Sequence, residues 1–341
     1  MSSQRSWARK ATVIAATTAT AFSLGACGSD SASADGSVMK IGITQGVPGD
    51  LLTVVAENEG FFDKRGVNVE LMPPSLTTAL SAAVISNDIT VGTMVPGTLW
   101  PAIDKGACAK ALGSTLGNTM DVIAQPGTEI AGDPTDPDTT LASIKGKTIG
   151  VTSRGSGMEL WITQLLDDAG LDPAKDVTFV GVGAPATAIQ AFKAKQVDVL
   201  YYGPTMAEQL PESEVVRVTD IIGKPGNALS SLVQGYPSAS CNTIEQRPND
   251  LLNYCKAMWD TYDFAQDPNN AAAMGKWMSE LIGVSPAAGP AAWDALKSTY
   301  LPMTITQESW EAQAELAGSP APVAPDFASS VYEPCTGGDP R

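Results

Sequence analysis

Histidine is absent from the 341-residue sequence and basic residues are scarce, with 21 Lys and Arg against 37 Asp and Glu and a formal net charge of −16. Without histidine, the chain can build neither a Ser-His-Asp or Cys-His catalytic relay nor a zinc site with imidazole ligands. The deficit of Lys and Arg argues against nucleic-acid binding, which requires clustered basic residues to neutralise phosphates. Acid–base chemistry would fall to carboxylates, Lys or Tyr.

The N-terminus has the pattern of an export signal. Three basic residues within positions 5–10 precede the apolar run 11–24, which is too short to cross a bilayer as a mature helix. The run leads into Leu-Gly-Ala followed by Cys27, which resembles the lipobox of bacterial lipoproteins, where the cysteine is lipidated and becomes the new N-terminus. We therefore predict a signal peptide over residues 1–26, lipidation of Cys27 and a flexible polar tether over residues 27–37. The alternative is an ordinary cleavage site with an incidental cysteine.

Four further cysteines follow Cys27, at positions 108, 241, 255 and 335. An even number of cysteines in an exported chain favours disulfides, because the compartment is oxidising. Three pairings are possible. We favour Cys241 with Cys255, which closes the shortest loop and leaves Cys108 with Cys335. The sequence contains no C-x-x-C spacing, so we expect neither a redox nor a metal role for these cysteines.

Strand and helix signals alternate along the first two thirds of the chain. Residues 39–43 and 147–151 are β-prone runs that end in glycine-containing turns, and residues 158–169 have apolar side chains at helical spacing. Gly170 lies where a glycine that ends a helix belongs. From residue 248 to 316 the pattern becomes helical throughout. The alternation predicts an α/β fold with parallel sheets and helices on both faces.

Four collinear segments carry a more specific signal. Residues 56–70 read Ala-Glu-Asn-Glu-Gly-Phe-Phe and continue to a Gly-Val-Asn-Val-Glu strand, and residues 144–151 read Ile-Lys-Gly-Lys-Thr-Ile-Gly-Val. Residues 171–177 and 195–204 continue the series in the same order. Together these segments resemble the nitrate/sulfonate/taurine family of ABC-transporter substrate-binding proteins, whose ligands also include thiamine precursors.

The resemblance implies a type II periplasmic-binding-protein fold, with two α/β lobes joined by two hinge crossings and the ligand held between the lobes. The stretch 126–140, rich in Gly, Pro, Asp and Thr, marks a boundary between the lobes. We assign residues 38–125 and 235–330 to lobe I, residues 126–234 to lobe II and residues 331–341 to a C-terminal tail. We predict a monomer without a cofactor, whose partners are an ABC permease and ATPase.

Ligand-binding residues are expected in the loops at the carboxyl ends of the strands, where open α/β sheets hold their ligands. Backbone N–H groups and hydroxyls in these loops favour anionic oxygens, and Arg154 would add a bidentate contact, unless it is a solvated surface cation. Tyr201 and Tyr202 alternate across a strand, so only one of them should face the cleft. The candidate residues are Thr44, Gln45, Gly46, Ser75, Thr77, Pro96, Gly97, Thr98, Arg154, Gly155, Ser156, Gly157, Gly183, Ala184, Tyr202 and Gly203.

These features predict a receptor, lipid-anchored at the outer face of the cell membrane, that closes around a small organic anion of the sulfonate or carboxylate type and delivers it to a permease. Two alternatives are an enzyme similar to the dehydratases of menaquinone synthesis that share this scaffold, and an exported sensor that reports the ligand to another receptor. The dehydratase relatives are cytoplasmic, whereas this chain has an export pattern. A pyrimidine synthase on the same scaffold consumes a histidine of its own, which this chain lacks.

Overall fold

The computed structural model describes residues 36–44, 47–72, 77–317 and 322–341. The predicted signal peptide, the lipidation site at Cys27 and all but the last two residues of the predicted tether lie outside these ranges. Within them, no helix is long and apolar enough to cross a membrane.

Ten strands in the described residues form two five-stranded sheets with the same topology. In order along the chain they are β1 (Met39–Gly42), β2 (Val69–Met72), β3 (Val91–Met94), β4 (Ala109–Ala111), β5 (Asp121–Ala124), β6 (Thr148–Val151), β7 (Thr178–Gly181), β8 (Val199–Tyr202), β9 (Val216–Arg217) and β10 (Tyr236–Ser240). The strand order is β2-β1-β3-β10-β4 in one sheet, which we call lobe I, and β7-β6-β8-β5-β9 in the other, lobe II. Crossing one (residues 112–120) and crossing two (residues 218–235) join the lobes.

Each sheet is mixed, which corrects the expectation of parallel sheets. β1 pairs in parallel with β2 and β3, and β6 pairs in parallel with β7 and β8. β10 and β5, however, are antiparallel to both of their neighbours. Each is the first strand after a crossing. The chain enters the sheet at the carboxyl ends of the parallel strands, and the strand therefore runs in the direction opposite to theirs.

The position of β5 also moves the boundary between the lobes. We assigned residues 38–125 to lobe I, but Asp121–Ala124 pairs with β8 and β9 of lobe II. All four residues of β5 are buried, so their sequence indicates a strand without indicating the sheet to which it belongs. The Gly- and Pro-rich stretch 126–140 follows β5 and is therefore a loop and short helix of lobe II rather than a linker.

Fourteen helices in the described part of the chain cover the two sheets. They are α1 (Leu51–Asn58), α2 (Phe61–Lys64), α3 (Thr77–Ile85), α4 (Pro96–Asp104), α5 (Pro137–Thr140), α6 (Gly157–Asp168), α7 (Pro185–Lys193), α8 (Cys241–Gln246), α9 (Pro248–Gln266), α10 (Ala271–Ile282), α11 (Gly289–Leu296), α12 (Gln307–Glu311), α13 (Phe327–Ser330) and α14 (Glu333–Thr336). Short 3-10 helices occupy Pro48–Asp50, Leu141–Ile144, Glu212–Glu214, Pro268–Asn270 and Lys297–Thr299. As predicted, α6 is followed by Gly170, whose φ of 75° is the left-handed conformation that favours glycine.

The disulfides pair differently from the prediction. Cys108 bonds to Cys241 and Cys255 bonds to Cys335, with Cα–Cα distances of 5.3 and 5.5 Å. The predicted pairs Cys241–Cys255 and Cys108–Cys335 are therefore wrong. The shortest loop was a poor guide because Cys241 directly follows β10, whose last residue pairs with Ala109, so the sheet brings it beside Cys108.

Both disulfides join segments of lobe I that are far apart in the sequence. The second one also shows that residues 331–341 are not a free tail. Val331 forms a parallel bridge with Ala111, and the N–H of Tyr332 donates to the carbonyl of Ala111 at 2.9 Å. Cys335 is fully buried. The C-terminal segment is therefore part of the lobe I core.

Candidate ligand-binding cleft

A cleft lies between the lobes where the parallel strands of both sheets end. It consists of a main chamber of about 610 Å³ and an adjoining side chamber of about 160 Å³. Val47, Thr152, Met158 and Gln234 line both chambers. Ligand pockets in proteins usually have volumes of roughly 300–1,000 Å³, so the main chamber has room for a small organic molecule.

The structure brings half of the predicted site residues to this cleft. The main chamber is lined by Pro96, Gly97, Thr98, Gly155, Ser156 and Gly157, and the side chamber by Tyr202 and Gly203. Thr44, Arg154, Gly183 and Ala184 line neither chamber. Gln45, Gly46, Ser75 and the side chain of Thr77 lie outside the described residues.

Lobe I contributes the loop that follows β1 and the start of α4. Asp50 holds that loop to β3, because its carboxylate accepts hydrogen bonds from the N–H of Thr44 and from Oγ1 of Thr93, both at 2.7 Å. Burial of this carboxyl raises its pKa. Proline suits the first position of α4, since the residue there needs no hydrogen-bonded N–H and the ring fixes a helical φ. Val47 and the Val95–Thr98 turn thus form one wall of the main chamber.

Arg154 of lobe II lines neither chamber, and its contacts fit the alternative of a surface cation. Its guanidinium lies 2.9 Å from Oε1 of Glu159 and also donates to the carbonyl of Phe179 at 3.2 Å. The Arg154 side chain is 64% exposed. Glu159 lies in the first turn of α6, where the helix dipole favours a carboxylate, and this carboxylate draws Arg154 onto the surface.

An indole ring covers the start of α6 beside the main chamber. A Cβ atom built at Gly157, the first residue of the helix, would lie 3.3 Å from the six-membered ring of Trp161. This close approach explains why glycine suits the position. Trp161, Met158 and Leu160 present the apolar wall that lobe II contributes to the chamber.

Both Tyr201 and Tyr202 line the side chamber, although only one was expected to face the cleft. The chamber lies beyond the end of β8 rather than over one face of the sheet, so both neighbours reach it. The hydroxyl of Tyr201 donates to the carbonyl of Gly183 at 3.2 Å, and that of Tyr202 donates to the carbonyl of Leu210 at 3.1 Å. Burial raises the pKa of each tyrosine to about 12, so both hydroxyls stay protonated at neutral pH.

Gln234 connects the two crossings and was missed by the sequence reasoning. Its N–H donates to the carbonyl of Leu116 at 2.8 Å. Its Nε2 donates to the carbonyl of Gly117 at 2.9 Å and to Oγ1 of Thr119 at 2.8 Å. A lone glutamine in a loop offers no sequence signal, because its importance comes from lying where the two lobes meet.

The described residues that line the two chambers include no Asp, Glu, Lys or Arg. The polar groups of the walls are hydroxyls and amides, such as those of Thr98, Thr152, Ser156 and Gln313. Gln313 is fully buried, and its Nε2 donates to the carbonyls of Ser231 and Ser309. Among all the residues that the structure describes, no three Cys, Asp or Glu side chains converge to hold a metal ion.

A separate cavity of about 600 Å³ lies between α11 and the segment that follows β8. In its wall, the buried Asp121 accepts hydrogen bonds from Nη1 of Arg217 at 2.8 Å and from the N–H of Ile221 at 2.7 Å. Burial raises the pKa of Asp121 to about 6. These groups already pair with one another and tie β5 to crossing two, so we place the ligand site in the main and side chambers.

Comparison with known proteins identifies the family. Residues 35–279 match the model of the NMT1-like family. The chain belongs to the NMT1-like family. The family and the fold inferred from the sequence are thus confirmed, and the NMT1-like chain has the periplasmic-binding-protein fold of its structural neighbours.

Two solved structures illustrate the likeness of this NMT1-like protein. The periplasmic aliphatic sulphonate binding protein SsuA of Escherichia coli is 15% identical, with a TM-score of 0.67 over 87% of this chain and 97% of that one. The alkanesulfonate-binding protein SsuA of Xanthomonas axonopodis pv. citri, solved with MOPS bound, is 18% identical, with a TM-score of 0.65 over 88% of this chain and 99% of that one. At these identities the likeness concerns the fold.

A curated relative is closer in sequence over a shorter stretch. A binding protein of Brucella abortus (strain 2308) is 28% identical over 165 residues, or 48% of this chain. The match spans about half, 47%, of the relative's own length. These named relatives are binding proteins, in agreement with the prediction of a binding protein rather than an enzyme.

Proposed function

We propose that this protein is the substrate-binding component of an ABC importer. It captures a small organic molecule between its lobes outside the cytoplasm and delivers it to a permease that works with an ATPase. The observation that carries this proposal is the cleft itself, whose chamber of about 610 Å³ is walled by loops at the strand ends of both lobes. A ligand that contacts Pro96 on lobe I and Met158 on lobe II stabilises the arrangement in which the two walls are close.

The two crossings supply the hinge for this motion. They lie side by side at Leu116 and Gln234, and crossing one is also held by the N–H of Gly117, which donates to the carbonyl of Thr299 at 2.8 Å. Lobe II is otherwise a continuous segment between the crossings. Domain closure around a ligand uses such short connections, in which a few residues absorb the change in backbone angles.

The lipid anchor is part of the same proposal. Gly36 is held at the start of β1, where its N–H donates to the Asp250 carboxylate at 3.1 and 3.0 Å, and Arg247 donates to the carbonyl of Val38 at 3.0 Å. This end of β1 is opposite to the strand end at the cleft. The predicted tether from Cys27 would therefore join the described chain at the end of β1 that lies away from the cleft. Replacement of Cys27 by serine should release the protein from the membrane fraction, and continued anchoring would contradict the lipobox.

Uptake measurements separate the importer from its alternatives. The compound that the protein carries when purified from its native host is identified by mass spectrometry, and its uptake is followed in cells that lack this gene or the permease gene. We expect both deletions to abolish high-affinity uptake. Unchanged uptake with a lost transcriptional response would favour the sensor, and chemical conversion of the compound by the purified protein would favour the enzyme.

The charge of the ligand is a separate question. The prediction of an organic anion combined the N–H groups and hydroxyls of the strand-end loops with a contact from Arg154, and Arg154 lies on the surface beside Glu159. The groups that do line the cleft point to a different ligand class.

A further inference from the structure

The described residues of the cleft offer no compensating positive charge. No described residue in either chamber is charged. The internal segments that the structure does not describe contain no charged residue in sequence: residues 45–46 are Gln-Gly, residues 73–76 are Pro-Pro-Ser-Leu and residues 318–321 are Gly-Ser-Pro-Ala. An anion that leaves water without a cationic partner loses several kcal/mol of solvation. Backbone N–H groups would have to replace that solvation.

Some of the N–H groups at the start of α6 are already used. The N–H of Gly155 already donates to Oε2 of Glu159 at 2.7 Å, and the N–H of Ser156 donates to the carbonyl of Ser153 at 3.1 Å. The carboxylate of Glu159, which is paired with Arg154, thus occupies the N–H of Gly155. The indole of Trp161 covers Gly157 beside it.

The start of α4, on the opposite wall, is similarly occupied. Pro96 has no N–H. The N–H groups of Thr98 and Leu99 both donate to the carbonyl of Val95, at 2.9 Å each. The hydroxyl of Thr98 also lies 3.1 Å from that carbonyl oxygen. The N–H groups of Thr98 and Leu99 are therefore not free to bind a ligand.

Gln234 instead presents an acceptor. Both protons of its Nε2 are used, one on the carbonyl of Gly117 and one on Oγ1 of Thr119. Because the carbonyl of Gly117 can only accept a hydrogen bond, the amide atom that faces it must be the nitrogen. Its Oε1 has no hydrogen-bond partner in the residues that the structure describes. Because Gln234 lines both chambers, this oxygen is available to a ligand. A carbonyl oxygen accepts N–H and O–H donors and disfavours carboxylate or sulfonate oxygens.

We propose that the cleft selects an uncharged small molecule with a largely apolar body and an N–H or O–H group that donates to Oε1 of Gln234. This inference rests on the proposed binding function, because it concerns the ligand class of the same cleft. The apolar body lies against Val95, Met158, Leu160, Trp161 and Leu232. Selection against anions comes from the absence of a cationic side chain among the described residues of the chamber walls.

Matched pairs of compounds test the charge preference by calorimetry on the folded, oxidised protein. An aryl carboxylate is compared with its primary carboxamide, and an alkanesulfonate with its sulfonamide, so that each pair differs in charge and keeps its carbon skeleton. We expect the amide of each pair to bind at least tenfold more tightly. Tighter binding of the carboxylates and sulfonates would overturn the inference, while gene-dependent uptake would still decide the importer proposal by itself.

Two variants test the physical reasons. Leu160→Lys introduces a cation into the apolar wall, with Leu160→Gln as an uncharged control. We expect Leu160→Lys to gain at least tenfold in affinity for MOPS over the control, and equal MOPS affinity in wild type and Leu160→Lys would overturn the charge argument. In wild type, N,N-dimethylation of the carboxamide should cost about tenfold, while in Gln234→Leu it should cost nothing. An equal loss in both proteins would remove Gln234 as the acceptor.

Discussion

The disulfide between Cys108 and Cys241 should stabilise the protein by closing a loop around an entire lobe. The two cysteines are separated by 133 residues, and the loop contains every strand of lobe II. Cys108 is exposed and Cys241 is half-buried, so a double replacement by alanine creates little cavity. The perturbation therefore isolates the cross-link from the packing.

The size of the effect follows from the loop length. In the chain-entropy treatment, a cross-link over 133 residues lowers the conformational entropy of the unfolded state, which stabilises the folded state by about 5 kcal/mol at 25 °C. The bond between Cys255 and Cys335, with a separation of 80 residues, gives about 4.5 kcal/mol by the same treatment. Both of those sulfurs are fully buried, so replacing them by alanine should cost an additional about 1–2 kcal/mol of lost packing.

Urea unfolding, monitored by tryptophan fluorescence, checks these values. We expect Cys108→Ala/Cys241→Ala to lose about 3–5 kcal/mol and the buried pair to lose at least as much despite its shorter loop. Non-reducing peptide mapping of the wild-type protein should find the same two pairs. A loss below about 1 kcal/mol for Cys108→Ala/Cys241→Ala would refute the argument that the cross-link acts by restricting the unfolded chain.

Three further predictions concern single residues. Burial raises the folded pKa of Asp121 to about 6 against 3.8 in the unfolded chain, so its stabilising contribution is present below pH 4 and declines by up to about 3 kcal/mol as the pH rises through 6. Asp121→Asn should therefore make the midpoint of urea unfolding less dependent on pH between pH 4 and 7. Gly203→Ala should cost about 1–3 kcal/mol, because its Cβ would lie 2.9 Å from the carbonyl oxygen of Thr119, and thermal unfolding measures this loss. Arg154→Ala should change the free energy of unfolding by at most about 1 kcal/mol and leave the affinity for the transported compound within twofold in calorimetry. A larger loss of affinity would support a contact between Arg154 and the ligand.

Local sequence patterns were sufficient to predict much of the fold. The runs at β1 and β6 and the helix that ends before Gly170 form as predicted, because alternation, helical spacing and a glycine terminator act over a few residues. The loops at α4 and α6 reach the cleft for the same reason: the position of a loop at the end of a parallel strand follows from topology.

The features that the sequence did not predict depend on contacts between residues that are distant in sequence, or on a neighbouring side chain that offers another partner. β5 is equally buried in either sheet, and only the path of the chain assigns it to lobe II. The pairing of Cys108 with Cys241 follows from the register of β10 on β4. For Arg154 the sequence left a ligand contact and a surface position open, and the structure pairs it with Glu159, five residues later. The acceptor at Gln234 exists only because two crossings meet there.

The place of β10 beside β3 has a consequence for synthesis. The chain is made from its N-terminus, and domains generally fold as their segments appear. Lobe II is continuous and is complete once β9 has emerged. At that time β3 has no neighbour on one side, and β4 has no strand partner in the sheet, because both pair with β10, which begins at Tyr236. Unpaired strand edges invite association with other chains. A chain with a finished second lobe and an open first sheet is thus exposed to association with other chains until β10 joins β3 and β4.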